Sequence, residues 1–209
     1  MISAGSYFQD QGLYHGDLRP INLMMTEEGN LMIADHGLLN DYKDNYRKGA
    51  AGQKDVYLTP RQLEQLKAGN KAPSYDVQKT DVFSLGLSLI YASTLEDPKN
   101  CYDWSKKTLN NNAIEAQLAK IEQSYSPSYS QLVRAMVDPN DLSRPDFHQL
   151  QALVNANSKP VGQQFPLQQS VYNQQLHNSQ LGRSVAPQAN NGFQNNFQNN
   201  LGQSGFRQY

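Results

Sequence analysis

The sequence predicts a mainly α-helical domain that contains one short β-hairpin and is followed by a disordered tail. Residues 81–95 are apolar on nearly every side, which is typical of a helix buried at the centre of a domain. Several later segments carry apolar residues at helical spacing, whereas the hairpin pattern lies near the N-terminus. This periodicity ends at residue 155, so the ordered part is predicted to cover residues 1–154.

The first elements are indicated by their turn residues. Residues 1–12 are typical of the end of a helix that Gly12 closes, because glycine adopts the left-handed C-cap conformation at low cost. Two short apolar runs, 21–25 and 31–34, flank a turn that contains Gly29. This pattern predicts a β-hairpin.

The remainder of the ordered part is predicted to be one long loop and then helices only. Residues 38–57 are polar and show no period, and a loop of that length inside a domain usually serves a function. A helix is predicted from Pro60 to Ala68, and Thr80 is the predicted cap of the buried helix. Three further helices are indicated by their apolar faces. The first face is formed by Ile114, Leu118 and Ile121, and the second by Tyr129, Leu132, Val133, Met136 and Val137. The last helix is predicted to begin at Pro145 and to carry Phe147, Leu150 and Val154 on one face.

The last 55 residues differ from the rest in composition. They contain 22 glutamines and asparagines, three basic residues and no acidic residue. A segment so poor in aliphatic side chains cannot bury enough apolar surface to offset the entropy of ordering. Residues 155–209 are therefore predicted to be a disordered, Gln/Asn-rich tail.

The composition also excludes several classes of function. The net charge is −1, so no general attraction to nucleic acid or to an anionic membrane is expected. No apolar run approaches the roughly 20 residues that a membrane-spanning helix needs, and the N-terminus does not resemble a secretory signal. Cys101 is the single cysteine, which favours a reducing compartment. We therefore expect a soluble intracellular, cytoplasmic protein.

One octapeptide concentrates the groups that phosphoryl transfer requires. Residues 15–22 read His-Gly-Asp-Leu-Arg-Pro-Ile-Asn. Asp17 offers a carboxylate that can orient a hydroxyl, Arg19 a cation for phosphate, and Asn22 an oxygen ligand for Mg²⁺. Asp35 follows the predicted hairpin, which would return it beside Asn22 so that both could reach one metal ion.

These residues resemble the motifs of protein kinases. The octapeptide is similar to the His-Arg-Asp-Leu-Lys-Pro-x-Asn catalytic loop of that family, and Asp35-His36-Gly37 is similar to its Asp-Phe-Gly motif. Three later segments resemble the end of an activation segment, the start of the buried central helix and the arginine near the last helix: Tyr57-Leu58-Thr59-Pro60, Asp81-Val82-Phe83-Ser84-Leu85-Gly86 and Arg144-Pro145. All five occur in the order of the family.

The resemblance implies a role for each matching residue. Asp17 would be the catalytic aspartate and Arg19 the cation that neutralises phosphate, while Asn22 and Asp35 would bind Mg²⁺ and, through it, ATP. Asp81 would anchor the backbone of the catalytic loop. The fold implied for residues 1–154 is the C-terminal lobe of a kinase domain, and no counterpart of the N-terminal lobe is recognised in the sequence.

Several residues depart from the family pattern. Gly16 replaces the arginine that couples the catalytic loop to a phosphorylated activation loop. Arg61 replaces the glutamate that would pair with Arg144. Lys54 stands where serine/threonine kinases place a threonine beside the catalytic aspartate.

The sequence therefore predicts a protein kinase lobe that uses ATP and Mg²⁺ to phosphorylate serine or threonine hydroxyls of a protein substrate. One alternative is a pseudokinase module whose surface binds partner proteins, favoured by Gly16, His36 and Arg61. Another is a small-molecule kinase of the aminoglycoside or choline type, because a His-Gly-Asp-Leu loop also occurs there. Residues 57–60, residues 81–86 and Arg144-Pro145 favour the protein-kinase interpretation.

Overall fold

The computed structural model describes residues 1–34 and 44–157. In chain order its α-helices are α1 Ile2–Asp10, α2 Asn45–Ala50, α3 Pro60–Lys67, α4 Val77–Thr94, α5 Asn111–Ser124, α6 Pro127–Met136 and α7 Phe147–Asn157. Its strands are β1 Leu23–Met25, β2 Leu31–Ile33, β3 Tyr102–Asp103 and β4 Thr108–Leu109. Short 3₁₀-helices cover Pro20–Asn22 and Pro98–Cys101. The prediction of a mainly helical domain is confirmed for this part of the chain.

The predicted hairpin is present. Strands β1 and β2 pair antiparallel, with Leu23 opposite Ile33 and Met25 opposite Leu31. Gly29 closes the turn at φ +82°, a left-handed conformation that glycine adopts without a steric penalty. The hairpin returns the chain toward the predicted catalytic loop, residues 15–22, since Ala34 donates its backbone N–H to the carbonyl of Asn22 at 2.8 Å.

The central helix α4 begins earlier than predicted. Asp76, not Thr80, is the N-cap, and its carboxylate accepts the backbone N–H groups of Gln78 and Lys79. Thr80 lies in the first turn, where its hydroxyl donates to the carbonyl of Asp76 at 2.8 Å. A threonine hydroxyl can bond back to the preceding turn in this way, which is why its presence alone did not mark the helix start.

Two elements were not predicted. Residues 38–57 are not entirely a loop, because the six-residue helix α2 begins after Asp44, whose carboxylate accepts the N–H of Arg47. The prediction of helices only after this region is also wrong, because β3 and β4 form a second small hairpin with Tyr102 opposite Leu109. Both elements are too short to show a periodic apolar pattern.

Helix α7 packs against α1 at the edge of the domain. The ring of Phe147 lies against Gly5, and a Cβ built on Gly5 would come within 2.3 Å of that ring. Ser6 donates its hydroxyl to the carbonyl of Phe147, and the N–H of Phe147 donates to the side chain of Gln9. The last helix thus begins at Phe147 instead of at the predicted Pro145.

Within residues 1–34 and 44–157, two apolar clusters build the core. The larger one joins α3, α4, α5 and α6 and includes Phe83, Leu87, Ile90, Ile121 and Val133. The smaller one lies directly beneath the catalytic loop and consists of Leu18, Val82, Leu85, Met136, Phe147 and Leu150. Since Leu18 belongs to this second cluster, the loop that carries Asp17 rests on a packed core.

Gly86 allows α4 and α6 to approach closely. A Cβ at this position would lie 2.7 Å from Val137 Cγ1 and 2.9 Å from Met136 Cβ. We predict that Gly86→Val lowers the free energy of unfolding by about 1–3 kcal/mol, because the helices would have to separate. Urea denaturation measures this change, with Ala92→Val on an exposed part of α4 as the control. An equal effect of both substitutions would contradict the close packing.

No helix within residues 1–34 and 44–157 combines the length and the apolar character needed to cross a bilayer. Most of the predicted tail, residues 158–209, lies outside the described residues, and its disorder stays a prediction.

Candidate active site

The predicted catalytic loop, residues 15–22, is anchored by α4. The Asp81 carboxylate accepts the backbone N–H of His15 at 2.5 Å and that of Gly16 at 2.8 Å. Ser88, two turns further along α4, donates its hydroxyl to the carbonyl of Leu18 at 2.6 Å. The anchoring role expected of Asp81 is therefore visible in these contacts.

His15 holds the loop from within. Its side chain is buried, its Nε2 lies 3.0 Å from the carbonyl oxygen of Ala34, and its Nδ1 accepts the N–H of Asp17 at 3.2 Å. A ring nitrogen that accepts an N–H carries no proton, so Nε2 is the donor and the imidazole is neutral. His15 therefore supports the loop as a buried, neutral side chain.

Asp17 and Arg19 form a two-point ion pair inside the loop. Arg19 donates its Nε–H to Asp17 Oδ1 and its Nη2–H to Oδ2, the latter at 2.8 Å. Arg19 also reaches Asp55, through its Nη1 donation to the backbone carbonyl and an ion pair with the carboxylate at 3.1 Å. The planar guanidinium is suited to such paired contacts, which a lysine could not make.

A second cation, Lys48 of α2, contacts the same carboxylate. Its Nζ lies 2.6 Å from Asp17 Oδ2. The sequence pointed instead to Lys54 as the residue beside the catalytic aspartate, and Lys54 is exposed to solvent. The position next to Asp17 is therefore occupied by Lys48, a residue to which the sequence interpretation gave no role.

These contacts set the charge of Asp17. Burial disfavours the ionised carboxyl, but the hydrogen bonds and charges of Arg19 and Lys48 outweigh it and hold the pKa of Asp17 below its ordinary value. Only 5% of the side chain is exposed. Asp17 is therefore an ionised, buried carboxylate, and each of its two oxygens accepts a hydrogen bond from a cationic side chain.

Asn22 is positioned by the same loop. It closes a 3₁₀ turn that begins with Pro20, and its Nδ2 donates to the backbone carbonyl of Asp17 at 2.8 Å. Because the amide nitrogen is the donor here, the amide oxygen remains an acceptor of the kind that Mg²⁺ prefers. Asp35, the second predicted metal ligand, lies outside the described residues. Within the described ranges, no three His, Cys, Asp or Glu side chains converge on a possible metal position.

The segment after α2 is held by buried hydrogen bonds. Thr59 caps α3 in a reciprocal capping box with Gln62. Tyr57 donates its hydroxyl to Asp97 at 2.9 Å, and the Tyr102 hydroxyl bonds both the N–H and the carbonyl of Leu58. These bonds fix the chain between the catalytic loop and α3.

The two arginines that cannot pair with each other have separate partners. Arg61 is exposed and lies 3.4 Å from Glu64 on its own helix. Arg144 is fully buried, with its guanidinium 4.7 Å from the centre of the Phe83 ring. Arg144 is therefore buried against Phe83 although the glutamate that the family pattern has at residue 61 is absent from that position.

A cleft of about 200 Å³ opens beside the catalytic loop. Its walls combine apolar and charged side chains, from Arg19, Pro20, Ile21, Asp55, Tyr57, Tyr91, Asp97 and Lys99. The cleft therefore borders Arg19, the ion-pair partner of Asp17.

The chain belongs to the protein kinase family. The family model described as protein kinase domain matches residues 1–154. CBL-interacting protein kinase 21 of Oryza sativa subsp. japonica is 29% identical over 156 residues, which cover 73% of this chain and 28% of the relative. Dual specificity mitogen-activated protein kinase kinase 7 of Homo sapiens is 25% identical over 155 residues, which cover 72% and 36%.

A third relative matches a shorter stretch. Dual specificity mitogen-activated protein kinase kinase hemipterous of Drosophila melanogaster is 33% identical over 101 residues, which cover 46% of this chain and 8% of that protein. The chain thus spans between 8% and 36% of the length of these three relatives.

Asp81 gives the fold a pH dependence. Burial raises its pKa to about 7 from an ordinary value of 3.8, although the N–H groups of His15 and Gly16 act in the opposite direction. The folded state then binds the proton more tightly than the unfolded state. The stabilising contribution of Asp81 is therefore complete below the ordinary pKa and is lost as the pH rises toward the folded value.

Asp81→Asn should flatten this dependence, because an amide does not titrate. We predict that the unfolding free energy of the wild-type chain falls more steeply with rising pH, between about pH 4 and 7, than that of the variant. Urea denaturation at several pH values measures both slopes. Glu27→Gln removes an exposed carboxylate and should keep the wild-type slope, whereas equal slopes for the wild type and Asp81→Asn would contradict the prediction.

Proposed function

We propose that residues 1–154 form the C-terminal-lobe portion of a protein serine/threonine kinase domain, which takes part in transfer of the γ-phosphate of ATP to a protein hydroxyl. The observation that carries this proposal is the arrangement of Asp17, Arg19 and Asn22 on one loop that hydrogen bonds and a packed core hold in place. A carboxylate, a cation and an amide oxygen are the groups that orient the acceptor and neutralise phosphate in this reaction.

Asp17 would orient the acceptor. A serine or threonine hydroxyl that donates to one of its oxygens would be held in line for attack, and the carboxylate would take up the proton as the new bond to phosphorus forms. The lowered pKa of Asp17 keeps the carboxyl ionised near neutral pH, which is the form that accepts a hydrogen bond from a hydroxyl. In a loose phosphoryl-transfer transition state, such positioning contributes more than base strength does.

Arg19 would neutralise the negative charge of the transferred phosphate. Its guanidinium donates hydrogen bonds to Asp17 and forms an ion pair with Asp55, and both Arg19 and Asp55 line the cleft. A guanidinium can bond two phosphate oxygens at once. Asn22 and Asp35 would hold Mg²⁺, and the ion would supply charge neutralisation to the phosphates of ATP when bound.

The acceptor is proposed to be serine or threonine. Arg19 followed by Pro20 favours this class by resemblance to serine/threonine kinases, while two of the relatives above carry the words dual specificity in their names. The full chain should be incubated with Mg²⁺ and ATP labelled in the terminal phosphate, together with matched peptides that present serine, threonine or tyrosine. We expect label on serine and threonine. Label on tyrosine alone would contradict the proposed acceptor, and label on none would contradict the proposed activity.

A second candidate function is a partner-binding module without turnover. Its support comes from the hairpin, where large apolar side chains are 52–75% exposed. They are Ile21, Met24, Met25, Leu31 and Met32. An exposed group of this kind is typical of an interaction surface. A partner captured equally by the wild type and by Asp17→Asn, with no phosphate transferred by either, would favour this function over catalysis.

A further inference from the structure

Helix α2 lies directly against the catalytic loop. The backbone N–H of Asn45, the first residue of the helix, donates to the carbonyl of Gly16 at 2.9 Å. A Cβ built on Gly16 would lie 3.0 Å from the Cβ of Asp44 and 3.5 Å from its Cα. The approach is thus so close that a side chain at position 16 would press on the side chain of Asp44, the residue that caps α2.

Gly16 is also favoured by its backbone conformation. Its φ is +82°, where other residues are strained. Residue 16 is the position at which the family pattern has arginine. The replacement therefore removes both a steric obstacle and a conformational obstacle to the docking of α2.

The other side of α2 is held by the segment that follows it. Tyr46 is buried, and a Cβ on Gly49 would lie 3.0 Å from Leu58. The helix is consequently fixed between the catalytic loop and the core. With its first turn capped by Asp44, it places Lys48 over the Asp17 carboxylate.

This contact leaves little of Asp17 for a substrate. Oδ1 accepts from Arg19 Nε, while Oδ2 accepts from Arg19 Nη2 and from Lys48. The carboxylate is 5% exposed, and the Lys48 side chain that covers it is 18% exposed. An incoming hydroxyl would need an oxygen of Asp17. Lys48 is the donor that lies outside the loop of residues 15–22, whereas Arg19 belongs to that loop.

We propose that α2 is a latch on the catalytic loop, in which Lys48 competes with the acceptor hydroxyl for Asp17 and Gly16 allows the helix to close. This inference rests on the proposed function of Asp17 and adds Lys48 as a residue that controls it. Release of Lys48 would free Oδ2 while Arg19 remains in place. The latch thus lowers the rate of transfer without removing any group that the reaction uses.

The contact itself can be tested without any measurement of activity. Each lysine of the full chain is labelled with acetic anhydride, and the extent of labelling is read by mass spectrometry. In Asp17→Asn, labelling of Lys48 should rise roughly fivefold, as expected when a partly exposed ion pair is lost. Lys54 is exposed and serves as an internal reference that should not change. If the labelling of Lys48 in Asp17→Asn equals that in the wild type, the latch is contradicted.

Gly16→Ala provides a second variant that leaves Asp17 intact. It should release α2 and raise the labelling of Lys48 in the same direction. Gly29→Ala is the matched control, because Gly29 also has φ +82° but has no atom within 4 Å of an added Cβ. If both alanine variants label Lys48 like the wild type, or both raise it equally, the role given to Gly16 is wrong.

The effect on the reaction is tested with Lys48→Met and Lys48→Arg. We expect Lys48→Met to raise kcat several-fold with KM for ATP unchanged, and Lys48→Arg to keep the low wild-type rate because it preserves the cation. A loss of rate in Lys48→Met that Lys48→Arg restores would overturn the latch and make Lys48 a catalytic cation. If no variant transfers phosphate while labelling responds as described, the contact stands and the proposed catalysis fails.

Discussion

Asp17→Asn will reduce the rate of phosphate transfer by roughly 10²–10⁴-fold, the range typical of losing a general base. The amide keeps the size of the carboxylate and can still accept one hydrogen bond from Arg19 or Lys48. It loses the charge and places an N–H₂ group toward one of these cations. The fold should persist, since Asp81, Ser88 and Asn22 hold the loop through its backbone.

The comparison that isolates this effect is Asp55→Asn. Asp55 also pairs with Arg19, at 3.1 Å, but its side chain is 71% exposed. We expect a loss of less than about threefold for this variant, as is usual for an exposed ion pair. Rates are measured by initial phosphate incorporation into a serine peptide. Equal losses for the two variants would show that Asp17 acts only through the position of Arg19.

Arg144→Ala will lower the free energy of unfolding by about 3–5 kcal/mol, which is the usual effect of breaking a buried charged network. The guanidinium donates twice to the carbonyl of Asp138 and once to that of Lys79. Its Nη1 also lies 2.9 Å from Asp141 Oδ1 without hydrogen-bond alignment. Removal of the side chain would leave these buried acceptors without donors beside the Phe83 ring.

Arg144→Lys separates charge from geometry. Lysine keeps the cation but has one nitrogen, so it cannot reach both Asp138 and Lys79 and should lose part of the stability only. Urea denaturation gives the order wild type, lysine, alanine, from most to least stable. If alanine were as stable as the wild type, the buried network would contribute no net stability, and its hydrogen bonds would only offset the desolvation of the charge.

Much of the fold could be predicted because long helices repeat their apolar positions. Helix α4 showed itself by a continuous apolar stretch, and α5 and α6 by single apolar faces. The hairpin was indicated by Gly29, whose conformation few other residues adopt. In these cases local chemistry and tertiary packing favour the same structure.

The elements that escaped prediction depend on distant contacts. Helix α2 has six residues, and its position comes from the bond between Asn45 and Gly16 and from packing against Leu58. Such a short helix has little stability of its own. The β3–β4 pair is held by Tyr102, whose hydroxyl bonds Leu58 across more than 40 residues of chain.

The candidate site also contains residues that the sequence could predict and one that it could not. Asp17, Arg19 and Asn22 are neighbours in sequence, so their proximity could be predicted from one motif. Lys48 could not be chosen from the several lysines of its segment, because its distance to Asp17 depends on the path of α2. The pairing of Asn22 with Asp35 at one metal ion stays a prediction, since Asp35 lies outside the described residues.

The central claim is that Asp17 accepts the proton of the substrate hydroxyl and that Lys48 limits its access to the substrate. The most direct test is the transfer rate of the double variant that combines Lys48→Met with Asp17→Asn. Initial phosphate incorporation into a serine peptide is compared for the wild type, both single variants and the double variant. We predict that Lys48→Met is faster than the wild type and that the double variant falls to the rate of Asp17→Asn. A double variant as fast as Lys48→Met alone would contradict the assignment of Asp17.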